Sequence, residues 1–185
     1  EFSGFFKNLK DGFRELGHDV TLIAAGDVWK KIDGADISLE SKHKGLLRKI
    51  DITYKYIKNL KYMKNHDVVL IINPNFFKKG IGHIVLNNVI KYNKNIYLSS
   101  CGDDVEYIKH GLAGNYKYWP FMNWCPEYKK TYYQTNFEKS IHNKLARAVN
   151  GVIPNSLEYA EAWRSSVFKD KVKRSIPLPI NISNI

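Results

Sequence analysis

The chain has 185 residues, 44% of them hydrophobic, and a formal net charge of +11 from 29 Lys and Arg against 18 Asp and Glu. This length and composition exclude a disordered chain and are enough for one domain with a full core. No apolar run approaches the ~20 residues that a membrane-spanning helix needs, and we expect no signal peptide. The two cysteines, Cys101 and Cys125, are typical of a reduced, cytosolic setting.

The positive charge favours anionic partners, namely nucleic acid, phosphorylated substrates or an anionic membrane surface. Most of it comes from lysine, and a solvated, lysine-rich surface accounts for the same excess. Composition therefore leaves both interpretations open.

Hydrophobic periodicity divides the chain into alternating helices and strands. Phe5 begins a helical pattern that Gly17 ends. The segment Asp67–Asn73 is apolar on both faces, which is typical of a central parallel strand. Helices are predicted over residues 5–16, 46–63, 81–90, 103 to about 111–114, 131–149 and 155–168, and strands over 19–25, 35–39, 67–73, 96–98, 151–154 and 172–176.

This order predicts an α/β fold with a Rossmann-like, doubly wound parallel sheet in three layers. Because such a sheet begins with a strand, we expect one before Ser3 that the chain lacks. We expect residues 1–175 to form this domain. Residues 176–185, where prolines oppose a helix, are expected to begin a linker.

The segment Asn95–Ile108 contains the strongest candidate site. An apolar strand ends in the small residues Ser99–Gly102, and Asp103 and Asp104 follow at the start of a helix. Ligands of open α/β sheets lie outside the carboxyl ends of the strands. Two interpretations follow. Asp103 and Glu106 have the spacing of a capping box, whereas a carboxylate that faces a cleft can act as a general base or accept hydrogen bonds from sugar hydroxyls.

Polar turns also follow other strands at the same predicted edge. Asn73 and Asn75 follow one strand, and Asn155 follows another. Ser3 and Gly4 precede the first helix, where backbone N–H groups can hold a phosphate. Caps and turns account for each of these alone, but several on one edge favour a site. The candidate substrate-binding residues are Ser3, Gly4, Asn73, Asn75, Cys101, Gly102 and Asn155, and the candidate catalytic residues are Asp103 and Asp104.

The predicted helix between residues 42 and 64 is basic and has a sharp apolar face. This pattern fits a helix that packs its apolar face on the core and leaves a charged face in solvent. The alternative is docking onto anionic lipid, where each Lys or Arg near the surface adds about 1 kcal/mol. The apolar face comprises Leu46, Ile50, Tyr54, Ile57 and Leu60, and the candidate membrane-surface residues are Arg48, Lys55 and Lys58.

Two further features carry less information. The aromatic run Tyr116–Trp124 fits a packed loop, a stacking surface for a sugar or a lipid interface. His18, His66 and His110 lie beside turns, and none has a His or Cys partner at metal-ligand spacing. We therefore predict no metal site.

Five stretches resemble the N-terminal domain of glycosyltransferases with the GT-B fold, and above all the bacterial enzymes that build polysaccharides and lipid-linked glycans. They are similar, in order, to that family's first helix entering its second strand, its central strand, the strand end often written His-Gly-x-Asp, the strand before the last helix, and the entry to the interdomain linker. These stretches are Phe13–Ile23, Asp67–Pro74, Leu98–Val105, Ala148–Ser156 and Ile176–Asn181.

The resemblance implies transfer of a sugar from a UDP- or GDP-sugar to a glycan or lipid-linked acceptor. In that family the N-terminal domain mainly binds the acceptor and the C-terminal domain binds the nucleotide. The chain would then be the acceptor-binding half of a cytoplasmic enzyme that works at the inner membrane face. By itself this half would be inactive and would bind no cofactor. Ser100 and Cys101 stand where many members have histidine, which leaves Asp103 or Asp104 as the carboxylate candidate. Ser3-Gly4 would lie near the donor diphosphate.

Two other classes are possible. A basic α/β module for nucleic acid or another anionic partner fits the charge, but the lysines are spread over many elements and no nucleic-acid motif is present. A receiver-like or flavodoxin-like regulatory domain fits poorly. Asn73 and Pro154 stand where a receiver requires its acid and its lysine.

Overall fold

A computed structural model describes residues 4–26, 34–123 and 131–179 of the chain. The predicted alternation of helices and parallel strands is confirmed, so the protein is of the α/β class. The described elements are α1 (Phe5–Glu15), β1 (Ile23–Ala24), β2 (Ile37–Ser38), α2 (Gly45–Asn59), β3 (Val69–Ile71), α3 (Gly82–Tyr92), β4 (Ile96–Ser100), α4 (Val105–Leu112), α5 (Asn136–Ala148), β5 (Gly151–Pro154) and α6 (Leu157–Arg164), with 3₁₀ turns at Leu60–Met63, Pro74–Phe76 and Lys169–Lys171.

The chain divides into two compact units. The first comprises Glu1–Tyr62 and Leu178–Ile185, and the second comprises Met63–Pro177. Each unit contains one of the two parallel sheets found among the described residues.

In the second unit, β4 is the central strand of a parallel sheet with the order β3-β4-β5. Leu98 of β4 lies opposite Ile71 of β3 and Val152 of β5, and all three side chains are buried. The predicted last strand is present as an extended segment that pairs in parallel with β5 through a Val152–Val172 bridge. All four segments therefore run in one direction, and their carboxyl ends meet at one edge.

In the first unit, β1 and β2 form a two-residue parallel pair in which Ile23 lies opposite Ile37. The strand predicted over residues 19–25 is therefore shorter than expected. The Val20 carbonyl accepts a hydrogen bond from Arg14 Nη2 at 2.6 Å, so a side chain rather than a neighbouring strand satisfies it. Asp36 fixes the pair, because its carboxylate accepts from the Leu22 amide (2.8 Å) and forms an ion pair with Arg14 (3.1 Å).

Two helix starts differ from the predictions. The helix predicted from residue 131 begins at Asn136, where Thr135 and Glu138 form a reciprocal capping box. The last helix begins at Leu157 with Ser156 as its N-cap. The predicted start of this helix at residue 155 was therefore wrong, and the helix ends at Arg164 rather than at residue 168. Hydrophobic periodicity locates such boundaries only to within a few residues.

The apolar face of α2 does not pack on a core in this structure. Tyr56 is the buried residue of this helix, whereas Leu46 is 71% exposed and Ile57 is 54% exposed. The core-packing interpretation of this face was therefore wrong, because α2 packs through the side that carries Tyr56. No helix in the described ranges is both long and apolar enough to cross a membrane.

Candidate functional site

Side chains that follow three different strands meet at the carboxyl edge of the β3-β4-β5 sheet. Asn73 Nδ2, after β3, donates to the Asp103 carbonyl at 2.6 Å. Asn155, after β5, donates from its amide to the Ser100 carbonyl (3.1 Å) and from Nδ2 to Cys101 Sγ (2.9 Å). Parallel pairing brings these turns together although they are up to 82 residues apart in the sequence.

Asp103 lies at this edge with a half-buried side chain. Its Oδ2 accepts a 2.6 Å hydrogen bond from the Tyr132 hydroxyl, and no donor among the described residues reaches Oδ1. Loss of hydration raises the pKa of this carboxyl, the Tyr132 hydrogen bond opposes that rise, and the nearby charge of Asp104 adds to it. One oxygen is therefore anchored, while the other can accept a hydrogen bond or a proton from a ligand.

Asp104 has a different environment from its neighbour, because its side chain is fully buried. Oδ1 accepts from the Tyr107 amide (2.8 Å), and Oδ2 accepts from Ser100 Oγ (3.1 Å) and from Trp163 Nε1 (2.8 Å). Burial raises the pKa of this carboxyl, although the charge of His142 and these three donors oppose the rise. Asp104 therefore joins β4, α4 and α6 and is occupied by structural hydrogen bonds.

Asp104, and not Asp103, is the N-cap of α4. The predicted capping box of Asp103 with Glu106 was therefore wrong. Asp104 is in the extended conformation that an N-cap adopts, and it satisfies the Tyr107 amide. Displacement of the cap by one residue directs Glu106 into the protein interior.

Glu106 and His142 form a buried polar pair that sequence reasoning missed. Glu106 Oε1 lies 3.3 Å from His142 Nε2, and both side chains are buried. The His142 ring packs on Trp163 with ring centroids 5.0 Å apart, which connects this pair to Asp104. The two residues are 36 positions apart and on different helices, so no local pattern relates them.

A cluster of packed aromatic side chains lies beside Asp103 and Asp104. Tyr107, Trp119 and Tyr133 belong to one buried cluster with Val105 and Ile108. The aromatic run therefore contributes mainly to packing, apart from residues such as Tyr118, which is 80% exposed; Trp124 lies outside the described residues. Other rings that pack against this cluster are Tyr116, Phe121, Tyr132 and Tyr159.

The remaining predicted residues are divided between the two units. Asn75 Nδ2 donates to the Tyr133 hydroxyl, which places Asn75 at the same edge as Asn73. Gly102 lies in the turn after β4, with a φ of 128° that favours glycine. Gly4 caps α1 in the first unit with no side-chain bond, and Ser3 lies outside the described residues.

The first unit contains an open groove of about 590 Å³ that the sequence did not indicate. The predicted surface residues Lys55 and Lys58 lie beside it. Lys55 Nζ is bound by Asp51 at 3.2 Å and by the Glu40 carbonyl. Asp36 is similarly paired with Lys10 and Arg14, whereas no described carboxylate forms an ion pair with Lys58.

In the described ranges, no three His, Cys, Asp or Glu side chains converge as a metal-binding group. Comparison of the chain with models of protein families, with curated proteins and with solved structures returns no match.

Proposed function

We propose that this chain is the acceptor-binding half of a GT-B glycosyltransferase, which moves a sugar from a nucleotide-sugar to a glycan or lipid-linked acceptor. The observation that carries the proposal is the convergence of Asn73, Asn155 and the half-buried Asp103 at one carboxyl edge. Three of the five stretches that resemble the family, Asp67–Pro74, Leu98–Val105 and Ala148–Ser156, contain the ends of these strands. In this proposal residues 1–175 form one Rossmann-like, three-layer domain, and a nucleotide-binding domain follows the linker at residues 176–185.

Asp103 is the carboxylate that the geometry favours for chemistry. Tyr132 orients it through Oδ2, and Oδ1 is directed at the acceptor hydroxyl in this mechanism. As the acceptor oxygen bonds to the anomeric carbon of the donor sugar, its proton passes to Asp103 and the bond to the nucleoside diphosphate breaks. General-base assistance of this kind is typically worth 10²- to 10⁴-fold in rate.

Asp104 supports the site instead of reacting in it. Three internal donors occupy its oxygens, and its side chain is buried. It fixes the start of α4 and thereby the direction of Asp103. This assignment narrows the two carboxylate candidates of the sequence to one.

Asn73, Asn75 and Asn155 supply amide groups that suit a hydroxyl-rich acceptor. Asn73 and Asn155 also stabilise the turn after β4 through their hydrogen bonds to Asp103 and Cys101. In this mechanism, the small residues Cys101 and Gly102 line the acceptor site beside Asp103. The resemblance assigns Ser3 and Gly4, which precede α1 in the sequence, to the donor diphosphate.

The test uses the full polypeptide encoded by the natural reading frame. Its purified product is assayed for transfer or hydrolysis from a panel of UDP- and GDP-sugars. We expect Asp103→Asn to lower kcat/KM about 100-fold or more with folding unchanged. The matched control is Asp67→Asn, because Asp67 is exposed and precedes β3 at the opposite edge of the sheet.

Two results contradict the proposal. If the natural reading frame encodes no second α/β domain, the glycosyltransferase proposal is wrong. If the Asp103→Asn variant transfers sugar at the full rate, the assignment of Asp103 as the catalytic base is wrong. In the first case the alternative is a basic module for nucleic acid, which the net charge of +11 favours. Its affinity falls steeply as salt rises.

A further inference from the structure

An apolar stripe runs along the exposed side of α2. Its side chains are each more than half exposed, and they lie on the side of the helix away from the buried Tyr56. Isolated exposed apolar residues are ordinary, but a contiguous apolar patch marks an interaction surface. The stripe consists of Leu46, Leu47, Ile50, Tyr54 and Ile57.

Positive charge surrounds this stripe. Residues 42–64 contain eight Lys or Arg and one Asp. At helical spacing, Lys49 and Lys58 lie on the two borders of the stripe, and Lys58 Nζ extends over the Tyr54 ring at 5.8 Å. Neither lysine forms an ion pair with any described carboxylate. The predicted surface residue Lys55 contributes less, because Asp51 and Glu40 hold it.

We propose that α2 lies in the plane of an anionic lipid bilayer. The stripe enters the boundary between headgroups and acyl chains, and Lys49 and Lys58 on its borders contact lipid phosphates, whereas the predicted surface residue Arg48 lies on the opposite side of the helix at helical spacing. An amphipathic helix with cations beside its apolar face binds membranes in this way. The proposal goes beyond the proposed function, since it requires no catalysis and no acceptor.

Two other occupants fit the surface less well. A second copy of the chain would bring the Lys58 borders of two stripes together, and like charges repel. Nucleic acid would use the cations but leave Ile50 and Ile57 uncovered, because phosphate contacts dominate that binding. An anionic bilayer satisfies the apolar and the charged residues together.

The experiment measures flotation of the 185-residue chain with vesicles. One set contains phosphatidylcholine with phosphatidylglycerol, and the other contains phosphatidylcholine alone. We expect binding to the anionic set that weakens as salt rises. Ile50→Gln with Ile57→Gln should weaken it about tenfold or more, and Lys49→Gln or Lys58→Gln should weaken it about fivefold each.

Matched controls lie on the second unit. Leu157→Gln replaces a side chain that is 78% exposed, and Lys144→Gln replaces an exposed lysine of α5. Both should leave vesicle binding unchanged. Circular dichroism of every variant checks that it is folded, which the exposure of the replaced residues predicts.

Three outcomes overturn the inference. The first is no preference for anionic vesicles, and the second is equal binding by the Ile50/Ile57 variant. The third is a dimer in solution that this variant dissociates, which would assign the stripe to a second copy. Sugar transfer is measured without lipid, so the two proposals fail independently. Absence of vesicle binding does not affect the proposed glycosyltransferase function, and absence of sugar transfer does not affect the proposed membrane-binding surface.

Discussion

Helices α2 and α4 have similar amphipathic patterns and opposite environments. Six of the eight residues of α4 are buried, including the charged Glu106, whereas Tyr56 is the one buried residue among the fifteen of α2. Leu46 and Ile50 of α2 are exposed, so a carboxylate in one helix is better shielded from water than isoleucine in the other.

The difference shows that a helical pattern specifies an apolar stripe but not what covers it. α4 packs against α6 and α5 and receives Tyr116 and Trp119 from the following loop. The buried Glu106 is stable there because His142 pairs with it. α2 packs through Tyr56 and leaves its longer apolar stripe to solvent, which makes α2 the candidate docking surface and α4 the support of the candidate site.

The largest expected effect compares the two helices directly. Ile108→Ala in α4 should lower the free energy of unfolding by about 3 kcal/mol, because it leaves a cavity at a side chain that is 1% exposed. Ile57→Ala in α2, at 54% exposure, should change it by less than about 0.5 kcal/mol. Urea unfolding measures both. If the two variants lose equal free energy of unfolding, the apolar stripe of α2 is covered in solution, which would contradict the contrast between the two helices.

The next effect tests the internal donors to Asp104. Trp163→Phe removes the 2.8 Å donor and should lower the free energy of unfolding by about 2 kcal/mol near neutral pH. This donor favours the ionised carboxylate, so its loss raises the pKa of Asp104 further. The destabilisation should therefore shrink as the pH falls through that pKa.

Ser100→Ala provides the graded comparison, because it removes the longer, 3.1 Å donor. We expect a loss of about 1 kcal/mol in the same unfolding series. For Trp163→Phe, a loss of unfolding free energy that stays constant with pH would contradict the predicted role of the indole N–H as a donor to Asp104. It would show that the indole stabilises the protein by packing alone.

Two Gly→Ala substitutions, one in α4 and one in α1, should change the stability of the protein in opposite directions. A Cβ added at Gly111 would lie 2.1 Å from Trp119 Cε2, whereas nothing lies within 4 Å of one added at Gly12 of α1. Gly111→Ala should cost about 1–2 kcal/mol through overpacking, and Gly12→Ala should stabilise by about 0.5 kcal/mol. Thermal unfolding should shift down for the first and up for the second; an upward shift for both would refute the close Trp119 contact.

The smallest expected change in stability comes from Tyr132→Phe, at about 1 kcal/mol or less. Its main effect is electrostatic. The Tyr132 hydroxyl favours the ionised form of Asp103, so its removal should raise the pKa of that carboxyl. A carboxyl ¹³C titration measures the shift, and the acidic limb of transfer activity should move to higher pH. Tyr118→Phe, at an 80% exposed ring, is the control and should move neither.

Local sequence patterns were enough to predict the alternation of helices and parallel strands and the polar turns after β3, β4 and β5. Period and turn chemistry are properties of neighbouring residues, and parallel pairing then brings strand ends to one edge. The polar turns at Asn73, Asp103 and Asn155 were therefore visible before any contact was known. Their roles in binding remain predictions.

Tertiary structure decided which of two adjacent carboxylates is enclosed and which face of α2 is covered. Asp104 is buried because Trp163 arrives from a helix 59 residues away, and Glu106 is stabilised by His142 from 36 residues away. Local periodicity holds no information about such distant partners, because burial depends on what packs against a side chain and not on the side chain alone. The exposed stripe of α2 has the same origin.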